Sequence, residues 1–423
     1  MLLERFWTWA KVEADERAPL LWSFVYFFCL LCGYYILRPV RDEMAIEGGV
    51  QHLPWMMTGT FLTLLVATPL FGFVSARYSR ARLLLSVYLF FIVHLLCFFA
   101  AMTSQWHPEW IARVFFVWLS VFNLFVVSVF WSLMADLFTP EQGVRLFGVI
   151  AAGGSTGALV GPLLTTGLTY LCPVPVLMLV SGLFLLACMG CIYRLERWSR
   201  DRAAGRQAPA GEPLGGGVLA GIRLALASPY LLGICGYLAM LTMTATFLYF
   251  EQVRLVAEYV ATPEARTRLF SAMDFATNIL TWLTQVLITH RLVGRFGLVA
   301  ALLVLPVVSL AGFLGIALWP GLVVYVIFSV VRRVGEYALS KPAREMLFTV
   351  VSREEKYKAK NFIDTAVSRG GDASTGWLVT GVKALGVTTL QIAWALIPVM
   401  VLWAWLSRWL ASEHGKRVPP QVG

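Results

Sequence analysis

Charged residues make up only 14% of this 423-residue chain, whereas ordinary soluble domains carry about a quarter. That shortage, together with 59% hydrophobic residues and a mean hydropathy of +0.73, excludes a water-soluble fold. Long polar connections are scarce as well: only residues 194–228, basic and then rich in Gly, Pro and Ala, form a linker. The opening stretch MLLERFWTWAKVEADER is interrupted by charge after three residues and lacks the apolar h-region of a cleavable signal, so the N-terminus is expected to stay cytoplasmic. Neither an H-E-x-x-H metal motif nor a G-x-x-x-x-G-K-[ST] phosphate loop occurs. Intramembrane metalloprotease chemistry and direct ATP-driven pumping are thereby excluded, and neither a cofactor nor an enzymatic activity is expected. Cysteine is limited to seven residues, and the pairs Cys29/Cys32 and Cys188/Cys191 lie in apolar runs without a neighbouring His, which suits helix packing better than metal or redox work.

What the chain does have is apolar runs. A bilayer requires about 20 apolar residues per crossing helix, and candidate spans fall at 19–43, 53–75, 81–102, 109–135, 145–169, 173–193, 229–255, 267–290, 296–316, 320–340, 359–384 and 388–410. The expected protein is an all-α polytopic membrane protein of about twelve transmembrane helices. A cytoplasmic segment 1–18 precedes a six-helix half at 19–193. The linker 194–228 leads to a second half at 229–410 and a tail at 411–423. The net charge of +10 reflects topology rather than a nucleic-acid partner. Most Lys and Arg fall in the segments that a cytoplasmic N-terminus places inside, and the positive-inside rule then puts both termini in the cytoplasm. A multi-pass protein of the inner membrane is expected.

Basic landmarks recur at nearly one offset, close to half the length: Arg77 and Arg291, Arg80 and Arg295, Arg145 and Lys360, Arg41 and Arg254. Two six-helix halves related by a parallel repeat resemble the major facilitator superfamily, whose substrate site lies near midplane between the halves. The loop GFVSARYSRARLL resembles that superfamily's G-x-x-x-D-R-x-G-R-R signature through Gly72, Arg77 and Arg80, with Ala76 in place of the acid and Ser79 in place of the glycine. On the fifth run Gly148, Gly157, Gly161 and Pro162 reproduce the antiporter spacing G-x8-G-x3-G-P, with Thr165-Thr166 where a glycine pair is usual. Gly153, Gly157 and Gly161 also form a stripe at intervals of four that lets another helix approach closely.

An ionisable group at the bilayer centre costs about 2.5–3.5 kcal/mol even on insertion scales, so such groups mark function. Arg332 and Arg333 fall about 18 Å into the tenth run at 1.5 Å per residue, near midplane. Glu336 follows one turn on and can pair with either. One acid against two arginines leaves a cation for an anionic ligand. The eleventh run adds Asp364, Arg369 and Asp372, with Gly370 and Gly371 loosening the helix between them. Asp274 and Asn278, one turn apart on the eighth, complete the polar set of the C-terminal half. On the first run Tyr34, Arg38 and Asp42 share a face, with Arg41 beside them and Arg38 about 28 Å from residue 19, near the outer boundary.

The stretches GYYILRPVRDEM at 33–44, MADLFTPEQGVRLFGVIAAGG at 134–154 and KPAREMLFTVVSREEKYKAKNFIDTAVSRGGD at 341–372 resemble the ATP/ADP translocases. The resemblance covers under a fifth of the chain. It implies exchange transport and maps the family's site residues onto Arg41, Asp136, Lys358 and Lys360. Arg41 stands where that family has lysine, Ala359 where it has glycine, and Asp372 near a family lysine. The expectation is a secondary transporter moving an organic anion, such as a nucleotide or another phosphorylated or carboxylated solute, by alternating access and antiport. Arg332, Arg333, Arg369, Arg38, Arg41, Tyr34, Lys358, Lys360 and Asn278 would bind the anion, since guanidinium suits phosphate and carboxylate. Glu336, Asp274, Asp364, Asp372, Asp42 and Asp136 would carry protons or gate, with protons or a counter-substrate as partners. The alternative is a proton-coupled exporter of drugs or siderophores.

Overall fold

A computed structural model describes residues 12–75, 80–203, 218–352, 355 and 359–417. Arg77 and Lys358 lie outside the described residues, as does the centre of the 194–228 linker. Every regular element among the described residues is helical. In chain order these are α1 (Arg17–Glu47), α2 (Leu53–Ser75), α3 (Arg80–Thr103), α4 (Pro108–Leu137), α5 (Pro140–Leu168), α6 (Val176–Ala203), the short α7 (Val218–Ala227), α8 (Pro229–Tyr259) and α9 (Pro263–Thr284). A π-turn at Gln285–Thr289 joins α9 to α10 (His290–Leu318). Then come α11 (Leu322–Gly335), a π-turn at Glu336–Ser340, α12 (Lys341–Leu347), α13 (Lys360–Phe362), a π-turn at Ile363–Val367, α14 (Ser368–Ala384) and α15 (Thr389–Arg417).

Local chemistry explains several boundaries. Thr139 caps α5 in a reciprocal box, its Oγ1 accepting from Gln142 N at 3.4 Å while Gln142 Oε1 accepts from Thr139 N at 3.0 Å, and Pro140 occupies the first turn. Ser228 caps α8 by a single bond, its Oγ accepting from Leu231 N at 3.4 Å, with Pro229 in the first turn. Gly297, at φ 71°, breaks α10 internally, a backbone conformation that side chains with a Cβ rarely adopt.

Nine described helices are long and apolar enough to cross a membrane. The expected spans 267–290, 320–340 and 359–384 are helical too, but they carry charged residues, among them Asp274, Arg332, Arg333, Glu336, Asp364, Arg369 and Asp372. Each of them also contains a π-turn, which leaves α11 with 14 residues and α14 with 17.

The chain divides into two compact units. The first comprises Met1–Gly48, Thr63–Gly211 and Thr262–Phe275; the second comprises Gly49–Leu62, Glu212–Ala261 and Ala276–Gly423. In the first unit α1 packs against α5, α6 and α4 around an aromatic core, where Phe27 stacks on Phe130 at 4.2 Å between centroids and the buried hydroxyls of Tyr26 and Tyr88 meet at 2.6 Å. At the foot of α1, Glu16 is 1% exposed and accepts from Gln142 Nε2 at 2.7 Å and Arg145 Nη2 at 2.8 Å. In the second unit α8 packs against α14, α15 and α11, and α10 against α15.

Candidate functional site

The glycine stripe of α5 backs onto α1. A Cβ on Gly153 would stand 2.5 Å from the Phe24 carbonyl oxygen and one on Gly161 2.8 Å from that of Cys32, while one on Gly157 would run into the Phe28 carbonyl. Such close backbone approach is what small residues permit. Gly148 has nothing within 4 Å of an added Cβ. Pro162, interrupting α5, offers its carbonyl to Ser271 Oγ at 2.6 Å.

Still within the first unit, the Arg38 guanidinium is 3.6 Å from Asp274 Oδ1 and lies over the Tyr35 ring at 5.6 Å. The sequence grouped Asp274 with the C-terminal charges, yet this ion pair ties it to α1, because the opening turns of α9 fold with the first unit. Arg41 turns to its neighbour Asp42 at 2.7 Å and covers Phe116 at 5.4 Å. Tyr34 is buried between Tyr35 and Phe122. Asp136 is exposed at the end of α4.

In the second unit, charges from α11 and α14 converge on one stretch of α8. Arg332, 2% exposed, donates from Nη1 to Glu336 Oε2 at 3.2 Å and from Nη2 to the Leu241 carbonyl at 3.0 Å, while its Nε makes no hydrogen bond. Asp372 accepts from Thr246 Oγ1 at 3.0 Å and lies 3.5 Å from Arg369. Gly371 leaves room for the Thr242 hydroxyl, which would stand 2.5 Å from a Cβ. Arg333 is half-buried beside Arg332, and Asn278 is half-buried on α9. Arg344 pairs with Asp364 at 3.3 Å and Lys360 with Glu345 at 2.5 Å, so the segment flanking 358 is braced by its own charges.

Sequence reasoning missed the partners on α8. Thr242, Thr244 and Thr246 are buried, and their alternation inside an apolar run was the available signal. It also missed the π-turns. The turn at Glu336–Ser340 frees carbonyls that side chains of the Gln285–Thr289 turn then take: Gln285 Nε2 donates to Tyr337 O at 3.4 Å and Thr289 Oγ1 to Ala338 O at 3.1 Å. Wide turns of this type concentrate at functional sites. Glu336, the partner of Arg332, is the first residue of one of them. Among the described residues no group of three or more His, Cys, Asp or Glu could hold a metal, and all seven cysteines are free thiols.

A helical fold with charged groups buried inside its apolar spans defines a polytopic membrane protein. Compared with models of known families, residues 23–357 match the Major Facilitator Superfamily, and the chain belongs to that family. No curated protein sequence matches it. Among solved structures it is similar to a bacterial homologue of the iron transporter ferroportin in an inward-facing state, at 15% identity and TM-score 0.66 over 95% of this chain and 99% of that one. It is likewise similar to a bacterial homologue of the human lysosomal transporter Spinster, at 14% identity and TM-score 0.57 over 96% and 99%, and to the nucleoside transporter NupG, at 14% and 0.59 over 96% and 99%.

Proposed function

We propose that this transporter moves an organic anion, phosphorylated or carboxylated, across the inner membrane by exchange. The observation that carries the reading is Arg332: a guanidinium 2% exposed inside a span, held by one carboxylate and one carbonyl, with Arg333 adjacent. A buried cation in a membrane is costly and its fork geometry suits carboxylate or phosphate. Glu336 and Asp372 neutralise Arg332 and Arg369. An arriving anion competes with those carboxylates, and each one displaced becomes a site for a proton. Asp364, paired with Arg344, and Asp274 and Asp42, paired with Arg38 and Arg41, are further carriers or gates of this kind, with Asp136 at the end of α4. Arg38, Arg41, Tyr34, Asn278, Lys358 and Lys360 are the further anion-binding candidates that the sequence and the translocase resemblance supply. The translocase-like stretches favour a nucleotide as substrate, and the α5 glycine spacing favours antiport.

The experiment is binding to purified protein of a panel of nucleoside phosphates, sugar phosphates, dicarboxylates, and cationic and neutral drugs. Saturable binding of an anion that Arg332→Ala weakens at least tenfold supports the reading. Binding confined to neutral or cationic drugs overturns it in favour of an exporter.

A further inference from the structure

The first unit contains a cavity of about 470 Å3, none of whose lining residues belongs to the arginine cluster, within the roughly 300–1,000 Å3 range of small-molecule sites. It opens at the C-terminal end of α1, where the end of α3, the start of α4, the 173–176 turn and the first residues of α9 meet. Its walls are largely apolar, including Phe99, Met102 and Ile111, and its charged groups are all acids: Glu43, Glu47 and Glu264. Glu43 is fully buried, and neither carboxylate oxygen accepts a hydrogen bond. The Arg266 guanidinium stands 3.8 Å from it, beyond hydrogen-bond distance. A buried carboxylate lacking donors is a costly arrangement, and this residue lines a space large enough for a ligand.

We infer that this cavity is a binding site for an organic cation with an apolar body, an aromatic or alkyl ammonium or phosphonium. The lining carries three carboxyl groups and no basic side chain, which selects positive charge. The ring of Phe99 and the thioether of Met102 suit a soft cation with hydrocarbon attached, and the predominance of apolar wall over ligating oxygens disfavours a bare metal ion. The bound cation takes the Glu43 carboxylate in place of Arg266. Because Arg266 and Glu264 both belong to the first turn of α9, occupancy reaches the helix whose Asp274 is paired with Arg38. On the positive-inside topology this site faces outward, so an external cation reaches it directly. The site is independent of the anion proposal and stands or falls separately.

The test is equilibrium dialysis of radiolabelled tetraphenylphosphonium against the full-length protein in nanodiscs, with empty nanodiscs as the partition control and tetraphenylborate as a probe of the same shape and opposite charge. One saturable tetraphenylphosphonium site per chain is expected, not displaced by tetraphenylborate. Glu43→Gln and Glu264→Gln should each weaken it at least tenfold. Arg266→Gln, which removes the competing cation, should tighten it. Glu264 is only partly buried, so its variant keeps the test open should Glu43→Gln fail to fold. Binding no greater than to empty nanodiscs, equal binding of both probes, or unchanged affinity in Glu264→Gln overturns the assignment.

Discussion

The guanidinium of Arg38 and the carboxylate of Asp274 stand 3.6 Å apart, with side chains 13% and 1% exposed, so α1 and the middle of α9 share a buried ion pair. Removing one partner of such a pair strands the other and costs about 3–5 kcal/mol, whereas replacing both with apolar groups of similar size is often neutral. Asp274→Asn should therefore lower the thermal midpoint followed by tryptophan fluorescence, and Arg38→Met combined with Asp274→Leu should recover most of the loss. A double variant less stable than the single one contradicts the pairing.

The contact of α5 with α1 makes a second prediction. A Leu at Gly157 drives its side chain into the Phe28 carbonyl, and overpacking costs about 1–3 kcal/mol. Here the obstacle is backbone rather than a movable side chain, so Gly157→Leu belongs at the upper end of that range. Gly148→Leu meets open space and should be mild. Equal midpoints for the two variants would show that the stripe does not hold the helices together.

These two cases also show how far the sequence speaks. The Thr-Pro-x-Gln box at 139–142 and the Ser-Pro start at 228 are local chemistry, legible from the residues alone. The glycine spacing on α5 is legible as a stripe, but that it meets α1 at Phe24, Phe28 and Cys32 is not, because helix partners are chosen by whole-face complementarity. Asp274 looks like a C-terminal charge until α9 is seen to fold with the first unit. Thr246 gives no hint of Asp372, 126 positions on, and π-turns leave no local signature, since their freed carbonyls are satisfied from a different helix.

Glu16 supplies a pH prediction. Burial pushes its carboxyl up, but hydrogen bonds from the Glu13 amide, Gln142 and Arg145 outweigh that and hold it below the ordinary 4.5. A carboxyl depressed in the folded state contributes stability that is fully present above the unfolded value and is lost as pH falls through the folded one. The midpoint should thus hold from pH 8 to about 5 and drop below 4.5. Glu16→Gln, leaving Arg145 without its partner, should cost about 1–3 kcal/mol at neutral pH and flatten that acid-side drop. An unchanged acid limb in the variant contradicts this role.

The central claim, anion exchange through the arginines of α11, is tested most directly by uptake of a labelled anion into proteoliposomes preloaded with the same unlabelled anion. Loaded vesicles should take up label much faster than empty ones. Arg332→Ala and Arg333→Ala should each reduce the rate by an order of magnitude or more while still inserting, since truncating one partner of a buried charge pair costs about 2–5 kcal/mol. Equal uptake into loaded and empty vesicles with no response to a pH gradient, or wild-type exchange in both variants, would contradict the account.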